Sequence, residues 1–300
     1  MAVILKLRSS TRIITKTFPR NLLFSVVLTI FFFPFPLLSS SVNIKLSIGQ
    51  HWPKISNLNH FLSSWQEALQ SQAEAVKTWT WEGANQSDFN QQVDFSASIQ
   101  WHLFRYLSLG ISSGYTYGAI GEKGAQVIIN RPGGESLFVQ QLKVATVPLC
   151  LEALVHWPLS DRWELYGGGG GGLTWINFTQ REGIKITGNP SFSYPEEISA
   201  HGSEITTKII LGMIFRMKEV SLFVEGNYRW EKFADLSGED KEGKTGQLYY
   251  LEQQEPNSGF WEARYMVSPA QPLSVDIRHV QPASIDLSGF SLRLGLIIFF

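Results

Sequence analysis

Serine, histidine and carboxylate side chains are the residues in this sequence that could carry out hydrolysis, and they occur in two groups. The candidates are His102, His156, Ser160 and Asp161 in the first group, and His201, Ser203, Asp276 and His279 in the second. Nucleophilic hydrolysis requires a serine, a histidine and a carboxylate to converge. The first group falls at short turns and the second in long loops, where histidines are usually solvated. We therefore expect no catalytic residues. No cluster of His, Cys, Asp and Glu has metal-ligand spacing, so we expect neither a metal nor another cofactor.

A run of six glycines, Gly167–Gly172, formally contains the G-x-G-x-x-G pattern of dinucleotide-binding loops. That pattern requires a helix after the glycines, whereas Leu173, Trp175 and Phe178 read as part of a strand. Glycines in a strand permit sharp curvature and leave room for large side chains from opposite strands. The run therefore indicates a curved strand and not a cofactor site.

The first 41 residues differ in composition from the rest of the chain. Five basic and no acidic residues lie there, and the basic residues all precede the apolar run Leu22–Phe33, which the small residues Ser39–Ser41 follow. This order predicts a cleaved secretory signal peptide over residues 1–41, with an uncleaved anchor as the alternative. Residues 42–300 then form the mature domain, with 20 basic against 26 acidic residues. That balance gives no support for nucleic-acid binding, and the single cysteine, Cys150, excludes an internal disulfide.

The remaining sequence has few charges and no long apolar run. Charged residues make up 17% of the chain, against about a quarter in a soluble domain. After residue 41 no apolar run reaches the roughly 18 residues of a spanning helix. An exported chain of this kind can instead close a sheet into a membrane barrel, in which every backbone polar group is paired.

Eight segments alternate apolar with small or polar residues, as barrel strands do. They cover residues 44–49, 94–103, 107–117, 147–155, 163–178, 208–216, 220–229 and 291–300. Short connections alternate with long ones at 50–92, 118–140, 179–203 and 231–283. Short periplasmic turns and long extracellular loops are typical of bacterial barrels. The sequence therefore predicts an all-β fold, an up-and-down antiparallel transmembrane barrel of about eight strands.

Two of the long loops carry structure of their own. The apolar spacing over Leu58–Val76 predicts a short amphipathic helix. Gln247–Gln254 and Phe260–Val267 flank Glu-Pro-Asn-Ser-Gly, which predicts a hairpin. The hairpin could add two membrane strands, giving ten, but its charged residues favour an extension beyond the membrane.

In plan the chain resembles the small outer-membrane β-barrel superfamily that includes the OmpA membrane domain, OmpX and OmpW. The resemblance is carried by the signal segment, Leu107–Tyr117, Leu165–Leu173, Glu225–Arg229 and Leu292–Phe300. It implies a place in the bacterial outer membrane, in contact with membrane lipid and lipopolysaccharide, and we expect a monomer. It also implies a signal for the barrel-assembly machinery, formed by Leu292, Leu294, Leu296, Ile298 and Phe300.

Charged residues on the inner face of such strands would be buried in a narrow lumen. Buried charges should pair, because an unpaired ion is costly in a low-dielectric interior. We expect a polar network of Lys45, Glu152, Lys208, Glu225, Arg229 and Arg293, in which the two glutamates bind some of the cations. The network would form a plug, and a narrow conduit for small solutes is the alternative. Cys150 is expected to face the lumen as a small packing residue.

These observations predict an outer-membrane barrel with a structural or surface-interaction role and no catalysis. A narrow, porin-like passive channel is the first alternative, and a lipid-modifying barrel enzyme is the second. The loops that contain Trp65, Trp79 and Trp81 could bind an extracellular ligand, or these aromatic residues could merely cover the mouth of the barrel.

Overall fold

The computed structural model describes residues 41–300 except positions 122, 133, 187–192, 219 and 257. The predicted signal peptide, apart from Ser41, lies outside the described residues. No helix within them is long and apolar enough to cross a membrane.

Sixteen strands and one helix form within the described part of the chain. The strands are β1 (Val42–Pro53), β2 (Thr80–Gln86), β3 (Gln92–Phe104), β4 (Leu107–Ile120), β5 (Ala125–Arg131), β6 (Gly134–Pro158), β7 (Trp163–Ile186), β8 (Ser193–Arg216), β9 (Val220–Trp230), β10 (Lys232–Phe233), β11 (Ser237–Asp240), β12 (Thr245–Gln254), β13 (Trp261–Ser268), β14 (Ile277–Pro282), β15 (Ile285–Asp286) and β16 (Gly289–Phe299). The helix, α1, spans Ser56–Ala75.

Eight of these strands pair around a closed ring. The order is β1, β3, β4, β6, β7, β8, β9 and β16, every pair is antiparallel, and β16 pairs again with β1. Closure leaves no strand edge unpaired along the ring. The protein is therefore a β-barrel.

The outer face of the ring carries a band of exposed apolar side chains. They include Leu46, Ile48, Leu109, Leu151, Leu211, Leu222 and Leu294. Exposed aromatic residues border this band at both ends. Phe104, Tyr106, Trp157, Trp163 and Phe299 lie near the short turns, and Tyr115, Tyr117, Trp230 and Phe290 lie at the opposite end. We call this surface the apolar band.

Strands β6, β7 and β8 continue well past the apolar band. On their outer faces the side chains become polar at Lys143, Asn177 and His201, which share the outward register of the apolar residues below them. Beyond these positions β5 pairs with β6, β2 pairs with β5, and β11 extends β8 toward β12, β13 and β14. We call this extension, together with α1, the head.

The helix packs its apolar side on the head. Leu58, Phe61, Leu62, Trp65 and Leu69 are buried and recur at the three- and four-residue spacing of one helix face. They join a large core cluster with residues of β5, β6, β7, β12 and β13, including Val127, Phe138, Phe178, Leu248 and Tyr265. Full burial of each such side chain contributes about 1.5–3 kcal/mol, so α1 is an integral part of the head.

The structure corrects the expected number of strands. The expected number of about eight strands was wrong for the sheet, which contains fourteen strands. The eight predicted segments nevertheless lie in the strands of the ring. Residues 118–140 and 179–203, expected to be loops, include β5 and large parts of β6, β7 and β8. The cause is that these strands keep alternating beyond the length that a membrane requires. The predicted helix and hairpin are confirmed as α1 and as β12 with β13.

Candidate functional site: the lumen of the barrel

The inner face of the ring holds a network of buried ion pairs. Lys45 on β1 pairs with Glu225 on β9, and the same carboxylate accepts a hydrogen bond of 2.9 Å from the Tyr166 hydroxyl on β7. Arg293 on β16 lies 3.4 Å from Glu225 and 2.8 Å from Asp94 on β3. One arginine therefore connects carboxylates from two different walls of the barrel.

A second part of the network lies on the neighbouring strands. The Lys208 ammonium on β8 is 2.5 Å from Glu152 on β6 and donates to the Ser112 hydroxyl on β4 at 3.0 Å. Arg229 on β9 lies 3.8 Å from Asp94 and 3.9 Å from Glu231. These longer pairs are supported by a hydrogen bond of 3.2 Å from Arg229 to the Thr116 hydroxyl.

The charges in this network are balanced. Its members are the cations Lys45, Lys208, Arg229 and Arg293 and the carboxylates Asp94, Glu152, Glu225 and Glu231. All of these side chains are at most 7% exposed. Because each charge faces an opposite one, the desolvation cost of each ion is offset locally. The arrangement places paired, buried charges in the lumen.

An apolar layer lies between this network and the short turns. It consists of Leu154, Tyr166, Ile210, Ile214, Phe223 and Ile297, which pack into one buried cluster. Tyr166 belongs to both layers, because its hydroxyl bonds Glu225 while its ring lies in the cluster. Gly212 leaves the space that the Tyr166 ring occupies, since a Cβ at Gly212 would be 2.3 Å from Tyr166 Cζ.

A separate polar cluster lies at the end of the lumen near the short turns. The Ser108 hydroxyl on β4 is 2.8 Å from His156 Nε2 on β6, and His156 Nδ1 is 2.6 Å from Glu164 Oε1 on β7. Glu164 Oε2 pairs with Arg216 on β8. All but Arg216 are buried. A serine, a histidine and a carboxylate are thus joined in sequence by hydrogen bonds.

The head contains a further charged cluster around Arg264 on β13. Its guanidinium contacts Glu262 at 2.9 Å and Glu196 at 3.2 Å. Burial, and then the neighbouring Glu196 carboxylate, raises the pKa of Glu182 to about 7. Burial also raises the pKa of Glu262 above its usual value, although Arg264 acts in the opposite direction. Three carboxylates therefore share a single arginine.

The structure brings the expected lumen residues together. Lys45, Glu152, Lys208, Glu225, Arg229 and Arg293 are all buried on the inner face. Glu225 contacts Lys45 and Arg293, and Glu152 contacts Lys208. Arg229 pairs with Asp94 and Glu231 and not with these two glutamates. Cys150 is buried on the same face.

Sequence reasoning missed several members of these clusters. Asp94, which lies 2.8 Å from Arg293, and Glu231, which lies just after β9, are not among the six network residues expected from the sequence. The serine candidates from the sequence, Ser160 and Ser203, differ from the serine that contacts His156, which is Ser108. Alternation shows that Ser108, His156 and Glu164 share the inner face, but only strand register shows that they meet.

The expected assembly residues lie on the outside of the barrel. Leu292, Leu294, Leu296 and Ile298 occupy alternate positions of β16, of which the three leucines are well exposed. Phe300 follows the strand, is 74% exposed, and donates its backbone N–H to Val42 O at 3.0 Å. The side chains of these residues therefore form part of the apolar band and its border.

The site is thus the interior of a closed antiparallel barrel, lined by buried ion pairs, with a head at one end. No family model matches the chain, and no curated protein does. Among solved structures, the chain is similar to the outer membrane protease OmpT from Escherichia coli, with 11% identity and a TM-score of 0.28. The match covers 88% of this chain and 99% of that chain.

Two expectations are affected by this comparison. The matched structure is a protease, which contradicts the expectation that the chain has no catalytic activity, and we withdraw that expectation. The finer resemblance to OmpA, OmpX and OmpW gains no support from it either. At this identity and TM-score, the likeness assigns neither a substrate nor a reaction to the chain.

Within the described residues no group of three or more His, Cys, Asp and Glu side chains has the arrangement of a metal site. The geometry therefore directs attention to the ion-paired lumen and to the Ser108–His156–Glu164 cluster.

Proposed function

We propose that this protein is an outer-membrane β-barrel of a diderm bacterium that is closed by its own side chains and presents the head at the cell surface. The apolar band carries the proposal. Leucines exposed all around the ring would be unfavourable in water, and aromatic residues border them at both ends, as they do at the two interfaces of a membrane.

The length of the band fits a membrane. Strand β3 carries exposed apolar residues from Val93 to Phe104, twelve residues including both ends, and a spanning strand needs about 9–11. The head lies beyond this band, on the side opposite the short turns. In a bacterial barrel that side faces the outside of the cell.

Cysteine labelling tests this orientation. Val275 lies in the head and Leu159 in a short turn, and both side chains are well exposed. A membrane-impermeant maleimide should label Val275→Cys in intact cells, and it should label Leu159→Cys only after the outer membrane is permeabilised. The buried Cys150 of the unmodified protein is the background control. Labelling of Leu159→Cys in intact cells, with Val275→Cys protected, would invert the proposed orientation.

The side chains in the lumen support a barrel without an open pore. Balanced ion pairs, the apolar layer and α1 all occupy the interior or its mouth, and an eight-stranded ring is only wide enough to be filled by side chains. We expect no steady open state for the purified protein in planar bilayers. A reproducible single-channel conductance would show that the barrel is a solute channel instead.

The head is the part of the protein that could interact with the surroundings of the cell. Its loop between β13 and β14 exposes Leu273 and Val275, which are 88% and 101% exposed. Apolar side chains at such a tip commonly mark a contact surface. Cells that produce the protein should aggregate and sediment faster than cells that produce the Leu273→Ser, Val275→Ser double variant. Equal sedimentation at equal surface amounts would remove this role from the tip.

A further inference from the structure

We propose that Ser108, His156 and Glu164 form a nucleophilic triad that cleaves small carboxylic esters at the periplasmic mouth of the barrel. The observation that carries this proposal is the order of the three contacts. Serine oxygen meets Nε2 at 2.8 Å, and Nδ1 meets the carboxylate at 2.6 Å. This is the arrangement by which a histidine activates a serine in hydrolases of unrelated folds.

The carboxylate determines the proton positions on the imidazole. Glu164 is an acceptor when ionised, so His156 Nδ1 must be the protonated nitrogen. In the neutral ring Nε2 then carries the free lone pair, and the Ser108 hydroxyl donates its proton to it. Arg216 pairs with the second oxygen of Glu164 and favours its ionised form. The carboxylate therefore fixes the tautomer in which a neutral His156 can accept the Ser108 proton.

Neighbouring groups hold the imidazole in place. The Tyr166 ring stacks on the His156 ring with the centroids 6.0 Å apart, and the His102 ring lies 4.9 Å away on another wall. The backbone N–H of His156 donates to Tyr106 O at 3.0 Å. A fixed ring keeps Nε2 directed at Ser108, which is the orientation that general-base catalysis depends on.

The reaction balances without a cofactor. Ser108 Oγ forms a bond to the ester carbonyl carbon while its proton moves to His156 Nε2. The bond from that carbon to the alkoxy oxygen then breaks, and the leaving alkoxide takes the proton from Nε2. Water attacks the acyl-serine in the same way, releases the carboxylic acid and restores Ser108.

The surroundings indicate the class of substrate and the side from which it enters. The apolar layer begins directly above the triad, at Leu154 and Tyr166, so a short acyl group on Ser108 would lie against apolar side chains. Toward the turns, His102 is only partly buried, so the mouth is the side closer to water. Ser108 itself has 0% exposure. Side chains at the mouth must therefore move aside for reaction, and we expect slow turnover and a preference for small esters.

The test uses the full-length barrel in detergent micelles and two probes. A small alkyl fluorophosphonate should attach to Ser108, as located by peptide mass spectrometry, and p-nitrophenyl acetate should be hydrolysed. Ser108→Ala should abolish both signals. His156→Gln and Glu164→Gln should lower the labelling rate by at least about tenfold, because each removes the base or its correct tautomer. Ser98→Ala, a buried serine on the inner face of β3, is the matched control and should label as fast as wild type.

Folding is checked separately by the shift in gel mobility between boiled and unboiled samples. A hydrogen-bonded cluster with a purely structural role would give folded wild-type protein that is not labelled, and that result overturns the proposal. Labelling that persists in folded Ser108→Ala overturns it as well. Neither outcome bears on the proposal of an outer-membrane barrel, because the gel shift and the cysteine labelling test that proposal independently.

Discussion

Arg293 directs two of its nitrogens at one carboxylate oxygen of Asp94 inside the lumen, although the two residues are 199 positions apart in the sequence. Arg293 Nε donates to Asp94 Oδ2 at 2.9 Å, and Arg293 Nη2 lies 2.8 Å from the same oxygen. The two residues lie on β16 and β3, which are separated by β1 in the ring. The contact therefore forms only once the barrel has closed, and it connects the last strand of the ring to its beginning.

Replacing Arg293 by methionine should destabilise the folded barrel strongly. The substitution preserves an unbranched side chain but leaves Asp94 and Glu225 with one cation fewer inside the lumen. Breaking one side of a buried ion pair typically costs 3–5 kcal/mol. The measurement is the urea midpoint for loss of the heat-modifiable band, in protein refolded into detergent micelles.

Arg181→Met is the matched control for this prediction. Arg181 pairs with Glu197 at 2.7 Å, but both side chains are about 40% exposed, at 40% and 37%. An exposed pair contributes at most about 1 kcal/mol. If the two variants lowered the midpoint equally, the lumen network would not be the stabilising element that its geometry indicates.

Gly212→Ala should loosen the interior although it adds only one methyl group. The new Cβ would lie 2.4 Å from the Tyr166 hydroxyl oxygen, so the ring would have to leave its contacts with Glu225 and Lys45. Overpacking of this kind costs about 1–3 kcal/mol. Gly171→Ala is the comparison, since its Cβ would meet nothing closer than Thr206 O at 3.4 Å. Urea midpoints of the two variants should differ clearly, and equal midpoints would show that the Tyr166 ring can shift at no cost.

The stability of the head should decrease as the pH rises from about 4.5 to 7. Glu182 has its pKa raised from 4.5 to about 7, chiefly by burial and then by Glu196. The folded head therefore binds the proton more tightly than the unfolded chain does. The stabilisation is complete below pH 4.5 and is lost as the pH rises through 7, with a size on the order of 1–3 kcal/mol. Glu196, Glu262 and Arg264 surround this carboxyl and modulate the same window.

Limited proteolysis of the head in micelles, measured across this pH range, tests the prediction. Cleavage of wild type should become faster toward pH 7, whereas Glu182→Gln should show a flatter profile, because its amide stays neutral. Glu239→Gln is a suitable control, since Glu239 lies in the head on β11 and is exposed. An unchanged slope in Glu182→Gln would assign the pH dependence to another group.

The sequence predicted the faces of the strands much better than their lengths. Alternation identified Lys45, Glu225 and Arg293 as inward-facing, because the apolar residues beside them in their strands point outward. The same alternation continues through Val127 and Ile129 of β5, in a stretch expected to be a loop. The buried side chains of β5 contact the core of the head and not the lumen. Strands only long enough to cross a membrane were expected, so the predicted strands ended too early.

The pairs within the lumen could not be derived from the faces alone. Two inward residues meet only if the stagger of the strands brings them to the same height. Asp94 is level with Gly49 of β1, which in turn is level with Arg293, and this register placed the carboxylate next to the guanidinium. The sequence shows that one residue is an acid and the other a base, but it does not show the strand register that brings them together. The same limit hid the contact of Ser108 with His156.

Phe300 should matter for assembly in the cell far more than for the stability of the finished barrel. Its side chain is 74% exposed, and its one described hydrogen bond is made by the backbone, so Phe300→Ser should change the free energy of unfolding by no more than about 0.5 kcal/mol. If the apolar series of β16 is read by the barrel-assembly machinery, the same substitution should sharply lower the amount of folded protein in the outer membrane. Phe104→Ser controls for the loss of an aromatic residue at the same border, since Phe104 is 71% exposed near a short turn. Quantifying heat-modifiable protein in outer-membrane fractions should show a large loss for Phe300→Ser alone. An equal loss in both variants would mean that Phe300 acts as an ordinary interfacial aromatic residue and not as a recognition signal.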